Sequence, residues 1–161
     1  MRQLAVALAC VAVGSGSPSA PIYLVDGHLG PLGWRGRLVA IERMDARTPR
    51  AALLALLRGP TAAERGRGIR SALPGGTRLV AVRVTRGTAR VSLRGGSFRA
   101  WQTGGFYATA QVVYTLTARP NIRRVWMRVD GRRCCVFDHS GRPYAHPLTR
   151  AIFAGWQGEP R

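Results

Sequence analysis

Lysine does not occur in this chain: all 25 of its basic residues are arginine, set against only 7 carboxylates, for a formal charge of +18. The missing lysine excludes two chemistries. A nucleotide-binding P-loop needs a lysine ammonium that reaches the phosphates, and Schiff-base catalysis needs a lysine amine. The scarcity of acid weighs against a third, because Asp26, Asp45, Asp130, Asp138, Glu42, Glu64 and Glu159 supply no close pair assignable to glycoside hydrolysis. A serine nucleophile elbow is missing too, since Gly95-Gly96-Ser97-Phe98 lacks the second glycine that motif requires. No residue pair on this inventory carries an enzymatic reaction, and no cofactor is implied. Arginine in place of lysine is what a GC-rich coding sequence produces, but that exchange leaves net charge unchanged. The surplus itself favours polyanionic surroundings: acidic wall polymer, anionic lipid headgroups or nucleic acid.

Cysteine is also rare, at 3 residues. Cys134 and Cys135, with Asp138, His139 and His146, are the one group of soft-metal donors in the chain. Adjacent strand residues face opposite ways, so the two thiols do not converge on one ion. Cys134 reads better as a small inward hydrophobe. Cys135, facing outward, is a candidate for an intermolecular disulfide in an oxidising compartment. At the start of the chain, Met1-Arg2, the apolar stretch Leu4 to Val13 and the small residues Gly14 to Ser19 suit a leader of signal-peptide or lipoprotein type over residues 1–20. That apolar stretch is too short to span a bilayer as a helix. It also suits a buried first strand of a mature domain. Cys10, within Ala7-Leu8-Ala9-Cys10, is a candidate lipidation site, and one acyl chain anchors firmly only beside a second signal such as basic surface.

The remaining 140 or so residues suit one domain able to bury its own core. Ile22 to Val25 and Gly36 to Ile41 read as a hairpin turning at Asp26-Gly27, with His28 in the connection. Thr48-Pro49 opens a helix whose apolar face is Leu53, Leu54, Leu56 and Leu57, and Gly59-Pro60 ends it. Glu64 to Leu73 is a weaker helical pattern, interrupted by Gly66 and Gly68. Thr77 to Val84 and Thr88 to Leu93 alternate as strands about Arg86-Gly87, and Arg94 to Gly105 reads as a glycine-rich loop. Val125, Met127 and Val129 form the inward side of a later strand, with Arg124, Trp126 and Arg128 outward. Asp130-Gly131 is a hairpin turn, and Cys134 to Phe137 returns as the last strand.

Four ordered motifs carry a family resemblance. Ala52 to Thr61 gives a leucine helix followed by Gly-Pro-Thr. Ser71 to Thr77 ends in a proline-glycine lead into a strand. Thr103 to Asp130 joins an apolar segment through Ala-Arg-Pro-Asn to an alternating strand, and Pro147-Leu148-Thr149-Arg150 closes the set. Together they resemble the GerMN domain of GerM-type sporulation and germination proteins, in a single copy assigned to residues 21–158. The resemblance implies that the segment ending at Thr117 is helical, with Thr103 as its cap, although its valines and threonines favour strand. It further implies an α/β (α+β) fold of ββ-α-ββ-α-ββ order, a mixed or antiparallel sheet with helices on one face, similar to ring-building folds. The functional expectation is a noncatalytic extracytoplasmic scaffold, secreted or membrane-anchored, that binds an envelope protein or an anionic polymer or lipid. The alternative is a basic nucleic-acid-binding module retained in the cytoplasm. Arg123, Arg124, Trp126, Arg128, Arg132 and Arg133 are the candidate anionic-partner surface, since guanidinium pairs with phosphate or carboxylate and indole stacks. Such a strip also suits single-stranded nucleic acid.

Overall fold

The computed structural model describes residues 20–30, 33–96, 98–133, 136–137 and 142–154. Its seven strands divide between two sheets, and one long helix joins them. The first sheet is antiparallel, in the order β2-β1-β3, from β1 (Ile22–Gly30), β2 (Gly33–Ile41) and β3 (Ile69–Arg70). The second is mixed, in the order β4-β5-β6-β7, from β4 (Arg78–Thr85), β5 (Thr88–Arg94), β6 (Arg124–Val129) and β7 (Arg132–Arg133). Within it β5 and β6 run parallel, as their connection through a helix demands. The α+β class holds, with the strands shared between two sheets.

Helix α1 (Pro49–Arg58) forms where the sequence signals it: the Thr48 hydroxyl accepts from the Ala51 amide at 3.1 Å, Pro49 takes the first turn, and Gly59 closes the helix at φ 74°. Arg86-Gly87 and Asp130-Gly131 both have positive φ at the two central residues, the hairpin geometry that twists with its strands. Asp26-Gly27 is no turn. Gly27 pairs with Gly36 inside the first hairpin, where a Cβ on Gly27 would overlap the Arg35 carbonyl, so the glycines mark close backbone approach. His28 accordingly lies in β1, exposed. The pattern from Glu64 to Leu73 also resolves differently. Thr61 and Glu64 form a capping box that starts α2 (Ala62–Gly66) earlier, and Gly68, at φ 86°, then redirects the chain into β3. Beyond Asp130-Gly131 the paired residues are Arg132 and Arg133, while Phe137 pairs with Pro143; Cys134 and Cys135 lie outside the described residues.

The central element is α3 (Phe98–Thr117), which begins in the stretch that the sequence presents as loop and runs through Gly104-Gly105 past the expected cap at Thr103. Two glycines cost a helix interior about 2 kcal/mol relative to alanine. Tertiary burial offsets that. From Tyr107 to Leu116 every residue of α3 is buried, because it packs on β1 and β2 of one sheet, on β6 of the other, and on α1. A helix buried all round needs partners for its polar side chains. Gln111, fully buried, donates to the Tyr23 carbonyl at 3.0 Å and accepts from the Ala72 amide at 2.7 Å, continuing the sheet where β3 has ended. Thr115 accepts from the Tyr23 amide at 2.9 Å. Both backbone groups of Tyr23 thus bond to side chains of α3.

The ends of α3 are tied down as well. Arg119 is 6% exposed and donates to the carbonyls of Thr115, Ala46 and Ala20, drawing the helix C-terminus onto the chain before β1 and the turn before α1. A cation there also suits the helix dipole. Burial without a carboxylate lowers the Arg119 pKa. Arg150, from the closing Pro-Leu-Thr-Arg motif, donates to the Thr117 hydroxyl at 2.8 Å and the Tyr114 carbonyl at 3.1 Å, and stacks 4.7 Å over the Tyr114 ring. Leu148 of the same motif exchanges two backbone bonds with Val125 at 2.7 and 2.8 Å.

Replacing Gln111 with leucine keeps volume but leaves the Tyr23 carbonyl and Ala72 amide buried without partners. We expect Gln111→Leu to lose roughly 2 to 4 kcal/mol in urea unfolding. Glu64 tests the cap. Its carboxylate accepts from Arg43 at 2.6 and 2.8 Å, which holds its pKa down at about 2 against an ordinary 4.5. A folded-state pKa below the unfolded one stabilises fully above about pH 4.5, and that contribution disappears as pH falls toward 2. Glu64→Gln is therefore expected to lower the urea midpoint at pH 7 and to flatten its fall across that acid window.

Candidate functional site

The outward face of the second sheet gathers arginine by register. Inward positions on β5 and β6, namely Ala89, Val91, Leu93, Val125, Met127 and Val129, are all buried. The alternate positions are therefore outward, and parallel pairing sets Arg90 beside Trp126 and Ser92 beside Arg128. Antiparallel pairing on either side adds β4 and β7. Three arginine pairs stand directly opposite one another across strands: Arg78 with Arg94, Arg83 with Arg90, and Arg128 with Arg133. All six are exposed, as is Arg124 at the start of β6.

Like charges directly opposite on a sheet are destabilising. Among the described residues no carboxylate forms a salt bridge with them: the salt bridges are Arg37–Asp26, Arg43–Glu64 and Arg58–Asp45, none of which touches this face. Asp130, in the turn after β6, accepts from the Gly95 amide at 3.1 Å. Trp126 is half-buried, and the Arg133 guanidinium lies 4.7 Å from its ring centroid, a cation–π contact that orients both groups. Arg90, Ser92, Trp126, Arg128 and Arg133 line an open groove of about 380 Å³. Its chemistry is that of anion recognition: fixed guanidinium donors, one hydroxyl and an aromatic plane.

Of the six residues singled out in the sequence, Arg124, Trp126, Arg128 and Arg133 share this face. Arg123 precedes β6, its guanidinium over Gly87 in the β4–β5 turn, and Arg132 stands opposite inward-facing Val129. The sequence reading did not include Arg78, Arg83, Arg90 and Arg94. Their alternation along β4 and β5 is visible, but the parallel β5–β6 register that sets Arg90 beside Trp126 and joins β4 and β5 to the same face is a long-range pairing. Cys10, Cys134, Cys135, Asp138 and His139 lie outside the described residues. Among the described residues no group of three His, Cys, Asp or Glu side chains forms a metal-binding cluster.

The architecture defines an α+β domain in which two sheets share one buried helix. The family model Germane, sporulation and spore germination, matches residues 21–134, and the chain belongs to that family. Solved structures agree on the fold. The tandem GerMN domains of the sporulation protein GerM from Bacillus subtilis superpose at a TM-score of 0.60 with 22% identity, covering 82% of this chain and 46% of that one. The first GerMN domain of the same protein superposes at 0.56 with 22% identity, covering 81% and 96%. This chain thus spans about half of the tandem structure and nearly all of one domain. It matches no curated protein sequence.

Uncompensated charge has a thermodynamic signature. Raising ionic strength from about 0.01 M to about 0.15 M shortens the screening length from about 30 to 8 Å. The urea midpoint is expected to rise over that range. Arg90→Glu, which converts a repulsive cross-strand pair into an attractive one, is expected to raise the low-salt midpoint and weaken its salt dependence. A midpoint that falls with salt in the wild type would show the arginines to be compensated.

Proposed function

We propose that this protein is a noncatalytic extracytoplasmic adapter of the sporulation and germination type, whose arginine face holds a phosphate-bearing component of the cell envelope. The observation that carries this reading is the set of three Arg–Arg cross-strand pairs on the sheet face that carries Trp126. Repulsion there costs stability, and a bound polyanion removes it. Guanidinium pairs bidentately with phosphate oxygens, and a basic surface gains about 1 kcal/mol per arginine near anionic lipid headgroups. The leader-like start with Cys10 supports an envelope location, in which a lipid anchor and this face act together. No helix among the described residues is long and apolar enough to cross a membrane.

The test compares vesicles containing phosphatidylglycerol, a phosphate-rich wall polymer and single-stranded DNA, each titrated across salt. We expect vesicle or wall-polymer binding that weakens steeply with salt and falls about tenfold or more in Arg90→Glu/Arg128→Glu. Binding unaffected by that double reversal would remove the face from the function. Preferential capture of single-stranded DNA, together with a mature chain still beginning at Met1, would favour the cytoplasmic nucleic-acid reading instead.

A further inference from the structure

The free edge of the second sheet carries a different opportunity. β4 pairs with β5 on one side only, and among the described residues no group outside that hairpin hydrogen-bonds to it. Alongside runs α1, which packs against β4 while leaving an apolar flank uncovered: Leu54 is 38% exposed and Leu57, one turn on, is half-buried. A depression lies at each end of the contact between α1 and β4. One, of about 380 Å³, is lined by Leu54, Leu57 and Leu79 with Arg78 at its rim. The other, of about 440 Å³, is lined by Pro49, Val84, Pro120 and Ile122, with Arg47 and the buried Arg119. Arg119 retains a buried Nε with no hydrogen-bond partner. Leu79 and Val84 pair with Leu93 and Ala89, four residues apart on β5, so the bulge between them shortens their separation to roughly 13 Å, which suits the first and fifth side chains of an extended peptide, both on one face.

We propose that this edge, with its two depressions, is a second binding site, in which an extended acidic segment of a partner protein adds as a strand to β4. Backbone bonds to an unpaired edge provide affinity in strand addition, and the pockets that take alternate side chains provide selectivity. Here an apolar side chain enters each depression and carboxylates meet Arg47 and Arg78. Charge decides against self-pairing. β4 carries Arg78 and Arg83, and neither it nor α1 contains any acidic residue, so a second copy of the edge would bring arginine to arginine. The bulge at Val80, which is 54% exposed, adjoins Leu79 near the Arg78 end of the edge. The site shares Arg78 with the arginine face but uses none of Arg90, Ser92, Trp126, Arg128 and Arg133, which line the groove there.

The experiment uses an array of ten-residue peptides that alternate Glu or Asp with Val, Ile or Leu, beside counterparts with arginine in place of each acid. The best binder is carried into fluorescence anisotropy and amide-shift mapping. We expect acidic peptides to bind, β4 and α1 amides to shift, and Leu54→Glu or Arg47→Glu to weaken binding about tenfold. Both substitutions are at exposed positions, and circular dichroism confirms folding. Arg90→Glu/Arg128→Glu should leave the shifts on β4 and α1 in place. The proposal fails if acidic peptides bind no better than their arginine counterparts, if shifts map to Trp126 and Arg128 instead, or if Leu54→Glu binds like wild type. It also fails if Leu54→Glu breaks a homodimer, which would make a second copy the occupant.

Discussion

The burial of one helix between two sheets is the constraint on which the remaining structure depends. Neither sheet is large: the first has three strands, one of them two residues long, and the second has four. Isolated, each would expose one apolar face. α3 supplies the missing layer for both, and so it is buried round its circumference instead of presenting one stripe. That arrangement forces its polar side chains to find partners in the core. Gln111 and Thr115 bond to both backbone groups of Tyr23, which fixes the helix against β1 in rotation and in register. Arg119 and Arg150 then complete its C-terminal end.

This economy of layers explains where the charge goes. The inner faces of both sheets are committed to α3 and α1, so arginine is left to outward positions and strand edges. Three of the acids engage arginines elsewhere, at the first hairpin, at the α2 cap and beside α1. Among the described residues the second sheet is left with an arginine-lined outward face and a border strand paired on one side only. Both features meet at β4, so the proposed polyanion face and the proposed segment-binding edge adjoin along one strand.

Much of this was legible in the residues. Local rules locate α1 by its Thr-Pro start and Gly-Pro end, and both tight hairpins by their residue types. Alternation assigns the buried face of β5 and β6 correctly. The failures differ in cause. Asp26-Gly27 looks like a turn because glycine signals turns more often than close strand approach, whereas the start of α2 is marked locally, by the Thr61–Glu64 capping box three residues before the pattern at Glu64. The N-terminal half of α3 looks like loop because Gly104-Gly105 lowers helix propensity, and propensity does not register the burial of the following Tyr107 to Leu116 between two sheets. For the arginine face, the β6 members were found from alternation alone. Those on β4 and β5 join the face only through a parallel pairing across an intervening helix, which local alternation does not show.

If α3 is the element that holds both sheets, its amides open only when the whole domain opens. Native-state hydrogen exchange in increasing denaturant measures this directly. Amides from Tyr107 to Leu116, and the Tyr23 amide held by Thr115, are predicted to exchange with the free energy and denaturant dependence of global unfolding, together with β1 and β5. Exchange of α3 at lower free energy, while either sheet stayed protected, would show that the sheets cohere without it.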